Sequence, residues 1–173
     1  MFGYKENYSI NLILQEVLIM EIENLFALET KIINNRVVFK FTFTESEITE
    51  LRMVKTIEML KKVLDSFHRD EIKHICFVFV INSIRMPSNM KLIKDFASTF
   101  HSYSEVINEK LDFTIIQSSN NIFKMFFSLF RMYYDPIKPL YMSKDDATTE
   151  KCLDSKDERN NVANFVDMVN NMK

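Results

Sequence analysis

Glycine is almost missing from this chain: Gly3 is the single one among 173 residues, and tryptophan does not occur at all. Phosphate-cradling loops, dinucleotide fingerprints and nucleophile elbows place glycine where backbone must approach a ligand or adopt positive φ. Those enzyme classes are therefore nearly excluded, and no nucleophile, base and oxyanion-donor set can be assembled from the remaining residues, so no catalysis is expected. Cysteine is limited to Cys76 and Cys152, too few for a disulfide framework. Neither sign of charge dominates, since 22 Lys+Arg against 24 Asp+Glu leave a net −2. Without a positive field to hold phosphates, a nucleic-acid partner is not expected. The apolar runs are too short and interrupted to form a transmembrane segment. The first residues lack the basic start and small-residue cleavage site of a secretory leader, so a cytoplasmic location is expected.

What the chain does contain is 47% hydrophobic and 27% charged residues, with 16 phenylalanines. That mixture belongs to a folded domain with a real core. Residues 1–24 read as a helical extension, with Ile10, Ile13, Leu14, Val17 and Leu18 on one face behind a Ser9 cap. Residues 25–153 read as one α/β domain. Residues 154–173 read as a connector and a short helix carrying Val162, Phe165, Val166 and Val169; the whole of 151–160 reads as charged connector.

Within 25–43, a two-residue turn at Asn34-Asn35 sets Ile32 opposite Val37, Leu28 opposite Phe41 and Phe26 opposite Phe43, six apolar side chains on one face. The same register pairs Glu29 with Lys40 on the other face. Thr44-Glu45-Ser46-Glu47 has the form of a capping box opening a long helix with the stripe Ile48, Leu51, Val54, Ile57, Leu60, Val63, Leu64 and Phe67. Ile75 to Ile81, an unbroken apolar run, predicts a strand covered on both faces. A second long helix follows through Leu92, Ile93, Phe96, Ala97, Phe100, Tyr103, Ile107 and Leu111, and a second buried strand spans Phe113 to Gln117. Ser118-Ser119 open an aromatic helix reaching Tyr134, with Asn121, Lys124, Ser128, Arg131 and Asp135 as its narrow polar stripe. Pro136 ends it, a short strand runs from Ile137 to Met142, and Ser143 with Asp146 starts a last core helix. The fold class is thus α/β: a mixed sheet with an N-terminal β-hairpin followed by parallel βαβ crossovers, and extra helices at both termini.

This order of elements resembles the STAS domain, the family of anti-sigma-factor antagonists and of the cytoplasmic tails of sulfate transporters. The resemblance covers about Phe26 to Leu153 and is carried by ICFVFVINSIRMPSNMKLI (75–93) and by the strand, serine, helix, short strand and Ser-x-x-Asp order between Phe113 and Asp146. In STAS domains the turn after the central strand carries a phosphorylated serine; the matching turn here is Met86-Pro87-Ser88-Asn89, without the family's aspartate and glycine. The resemblance implies a non-catalytic regulatory module that binds a protein partner or small ligand, with Ser88 as the phosphorylation site and Asn89 beside it. IIQSSNNIFKMFF (115–127) is also similar to the CRAL-TRIO lipid-binding domains and their BCH relatives, which is the alternative reading and implies an apolar or lipid ligand.

Each candidate residue has a structural reading beside its functional one. Ser88 caps the second helix or is modified; Ser118 and Ser119 cap the aromatic helix or help form a ligand surface at a strand end. Phe123, Phe127 and Phe130 belong either to the core or to a face for a partner or a second copy of the chain. Asp145 and Asp146 read as capping carboxylates. His68, His74 and Cys76 lack a fourth ligand, and His101 lies on a wet face, so neither a metal nor another cofactor is expected.

Overall fold

A computed structural model describes residues 26–43, 48–81, 85, 89–118 and 122–161. The hairpin comes first, as β1 (Phe26–Ile33) and β2 (Arg36–Phe43). Asn34 and Asn35 take φ of 50° and 61°, so both turn residues are left-handed and the turn twists with its strands. Every pairing expected from the sequence is present: Ile32 with Val37, Leu28 with Phe41, Phe26 with Phe43 and Glu29 with Lys40.

Helix α1 (Glu50–Ser66) leads to β3 (Ile75–Val80), then α2 (Met90–Ser102) and α3 (Ser104–Lys110) lead to β4 (Leu111–Gln117). Helix α4 (Ile122–Arg131) leads to β5 (Leu140–Ser143), followed by α5 (Asp146–Asp154) and α6 (Lys156–Asn161). The sheet order is β1-β2-β3-β4-β5, antiparallel between the first two strands and parallel thereafter. Because each parallel strand adds beside its predecessor, crossovers of one hand leave all their helices on one face. The core follows: Met53, Leu60, Val63, Ile93, Phe96, Ile107 and Phe126 pack with Val37, Phe39, Phe77 and Ile116. The opposite face is smaller, with Val38, Cys76, Val78, Phe113 and Ile115 beneath Cys152 and Leu153 of α5.

Several boundaries depart from the sequence reading. The capping box at 44–47 lies outside the described residues; α1 is capped instead by Thr49, whose side chain accepts from the Arg52 N–H at 3.3 Å. Leu51 and Val54 are exposed, while Met53 and Thr56 face the core. Steps of three residues lag a 3.6-residue turn by about 60° each, so the line through 48, 51, 54 and 57 winds off the buried face. The second long helix is two helices, because Tyr103 breaks it with φ −109° and ψ 16°. Its hydroxyl donates to Asp65 of α1 at 2.7 Å, and the Thr99 and Ser102 hydroxyls bond back to carbonyls four residues earlier, which bends a helix. Helix α4 ends at Arg131, before Tyr134, and β5 starts at Leu140 after Pro139. Asp145, not Ser143, caps α5, accepting from the Thr148 N–H at 2.7 Å. The segment expected as connector is helical, in α5 and α6. The helices expected at 9–23 and beyond 161 lie outside the described residues.

Candidate functional site

The helix-covered face of the sheet is not filled to its end. Between α2, α3, α4 and the sheet lies a cavity of about 80 Å³, lined by Phe26, Phe77, Phe96, Phe100, Ile107, Ile116, Phe127, Phe130 and Leu140, among others. Thr114 and Lys138 are its polar lining residues apart from the Tyr134 hydroxyl. Pro136, Ile137 and Lys138, in the link between α4 and β5, reach solvent, and so does part of Phe43 at the other end.

The cavity arises from side-chain shape. Phe96, Phe100, Phe130 and Tyr134 meet edge-on or tilted, with centroids 5.3 to 6.0 Å apart. Rings in such arrangements gain quadrupole attraction but leave wedges that smaller side chains would close. Burial pushes the Tyr134 phenol up to about 12, with the Asp135 charge adding to the effect, so it stays protonated at neutral pH.

A second concavity opens on the other face, at the N-terminal ends of β3 and β4. Its centre is Asp112, which accepts from Arg36 Nε at 2.7 Å and faces His74 Nδ1 at 3.1 Å. Asp112 stands there because the β3–β4 register shifts beside Cys76: Ile75 pairs with Leu111 and Cys76 with Phe113, which leaves Asp112 as an extra residue. The bulge also turns Phe113 onto the second face. Arg159 of α6 lies over that ring at 4.3 Å and donates from Nη1 to the Cys152 carbonyl at 2.7 Å. Nearby, Thr149 donates to Gln117 Oε1 at 2.8 Å and lies 2.6 Å from the Ser143 hydroxyl, so α5 is hydrogen-bonded into the sheet. These contacts act as a lock between helix and sheet.

Of the expected site residues, the described ones fall at three places: Asn89 before α2, Ser118 at the end of β4, and Phe127 with Phe130 together on α4. Ser88 and Ser119 lie outside the described residues, as does the side chain of Phe123. The capping of α2 expected of Ser88 falls to Asn89, which accepts from the Lys91 N–H at 3.0 Å and is exposed. Ser118 is buried and donates its N–H to the Ser143 carbonyl at 3.0 Å, extending the β4–β5 ladder rather than presenting a hydroxyl to solvent. Phe127 and Phe130 are also buried, in keeping with the core reading of the aromatic helix, and they line the cavity. No spacing rule could have found the cavity, because rings that fill a core and rings that leave a gap share one pattern.

Neither cysteine is set up as a nucleophile. Cys76 is fully buried and its thiol is pushed far above the ordinary range by desolvation. Burial also raises Cys152. A thiol is a nucleophile only as thiolate, so both behave as small apolar groups. Among the described residues no group of three His, Cys, Asp or Glu is placed to hold a metal ion, and no helix is long and apolar enough to cross a membrane. No protein-family model matches this chain and no curated protein sequence does, so the geometry of the two concavities described above carries the functional reading.

Proposed function

We propose that this protein is a non-catalytic binding module that takes a small apolar molecule, or the end of an acyl chain, into the phenylalanine-lined cavity between its sheet and helices α2 to α4. The observation that carries this reading is the cavity itself, walled almost wholly by hydrocarbon. Such a space holds water poorly and gains by filling with an apolar group. At about 80 Å³ it exceeds the roughly 10–15 Å³ that one water needs, yet falls short of the roughly 300–1,000 Å³ of drug-sized pockets. The ligand is accordingly slender. This supports the apolar-ligand alternative, similar to CRAL-TRIO domains, ahead of a phosphoserine switch at Ser88.

Native mass spectrometry of the purified protein, followed by organic extraction of whatever is released, tests the reading. A bound apolar molecule in the wild type and its loss from a folded Ile116→Phe variant, which fills the cavity, are expected. An empty protein that also takes up no added medium-chain fatty acid or alcohol overturns it. A second reading, a protein partner on the outer side of α4, is favoured by Met125 on that helix and Met132 just past its end, which are 53% and 70% exposed.

A further inference from the structure

Beyond ligand binding, we infer that the chain pairs with a second copy of itself through the outer edge of β1, antiparallel and centred on Thr30, so that two five-stranded sheets join into one. Strand β1 ends the sheet, and among the described residues nothing pairs with its outer side. The direction of its free backbone groups follows from its neighbour. Val37 donates its N–H to His74, on the β3 side, so odd-numbered residues of β2 turn their backbone groups towards β3 and even-numbered ones towards β1. Arg36, Val38 and Lys40 therefore bond with Ile33, Lys31 and Glu29, their partners in register. That leaves the N–H and C=O groups of Leu28, Thr30 and Ile32 pointing outward, in a strand of eight residues with no proline or bulge to blunt it.

An antiparallel copy must match outward residues with outward residues, which allows few registers. Leu28 against Thr30 would set Glu29 on Glu29, and Thr30 against Ile32 would set Lys31 on Lys31. Thr30 against Thr30 sets Glu29 against Lys31 of the second copy, twice. Glu29 has no ion pair among the described residues, and Lys31 is held along the same face by Glu150 at 2.7 and 2.8 Å. On the helix side this register also places Ile32, 49% exposed, against Leu28 of the second copy. Hydrogen-bond phase thus allows this register, and charge selects it over its two neighbours.

Sedimentation of the full chain from micromolar to millimolar concentration, with three variants, tests the pairing. The wild type is expected to dimerise. Glu29→Lys should raise the dissociation constant about tenfold or more, since it puts like charges opposite each other twice. Thr30→Pro removes an outward N–H and no hairpin bond, and should give a monomer with unchanged circular dichroism. Thr30→Cys should cross-link under mild oxidation, because the two copies' Cα atoms would sit about 5.5 Å apart, within disulfide reach. Both native thiols are buried and leave that readout clean. A monomer at all concentrations overturns the pairing. A dimer that survives Glu29→Lys and Thr30→Pro and does not cross-link at Thr30→Cys also overturns it, and assigns the contact to another surface or to another segment of this chain.

Discussion

The two faces of the sheet are held down by different means. On the crossover face, four helices lay a thick layer of phenylalanine and aliphatic side chains on the strands, and the bonding is almost wholly non-directional. On the other face, a few valines, isoleucines and one phenylalanine lie under two short helices fixed by named polar contacts: Thr149 with Gln117, Arg159 with Cys152 and Phe113, Lys31 with Glu150. A large apolar layer tolerates imperfect packing and can keep a cavity. A small layer has too little area to hold a helix and depends on hydrogen-bond geometry, which leaves no slack.

Substitutions should separate the two. The largest effect is expected for Phe77→Ala, since Phe77 touches the rings of Phe39, Phe41, Phe67, Phe79 and Phe100 at the centre of the thick layer. A loss of about 3–5 kcal/mol by denaturant unfolding, spread over the whole molecule, is expected. Thr149→Val should cost about 1–3 kcal/mol by leaving Gln117 and Ser143 without their buried partner. Hydrogen exchange should then rise in α5 and α6 and stay unchanged in α1 to α4; an even rise throughout would show that the faces are not separable.

Smaller effects follow from titration. The bond to Asp65 holds the Tyr103 phenol up to about 12, with burial adding to it, and burial does the same for Tyr134. Both folded values lie above the ordinary value of 10.0, so their contribution to stability is complete below pH 10 and is lost as pH rises towards about 12. Tyr103→Phe should flatten that alkaline loss in a pH series of thermal melts. The smallest change belongs to Asp145. Its bond from the Thr148 N–H lowers its pKa below the ordinary 3.8, so its contribution is present above pH 3.8 and is lost as pH falls through the depressed value. Asp145→Asn keeps the cap and should remove that acid dependence.

Much of the fold was legible where one pattern admits one arrangement. The hairpin is the plainest instance: Asn34-Asn35 favours a left-handed turn, that turn sets the register, and the register puts apolar residues together on the helix side and Glu29 opposite Lys40 on the other. The run at 75–81 was equally legible, since a strand without polar alternation must be covered twice. Helix ends were less so. Thr44, Ser46 and Thr49 offer similar hydroxyls, and which one caps depends on where the chain leaves β2. The bulge at Asp112 was hidden because LDFTIIQ reads as well with as without an extra residue, yet that bulge places Asp112 beside Arg36 and turns Phe113 under Arg159. The cavity was hidden for a related reason: the spacing of Phe127 and Phe130 suits a buried face, but whether their rings close against Phe100 or leave a wedge beside it depends on ring tilt.

Methyl-resolved NMR during titration with decanoate compares the two faces in one experiment. Ligand binding in the cavity predicts that the methyl signals of Ile107, Ile116 and Leu140 shift saturably while those of Val38, Val78 and Ile115 stay in place. Absence of any saturable shift, or shifts confined to Val38, Val78 and Ile115, would contradict the account.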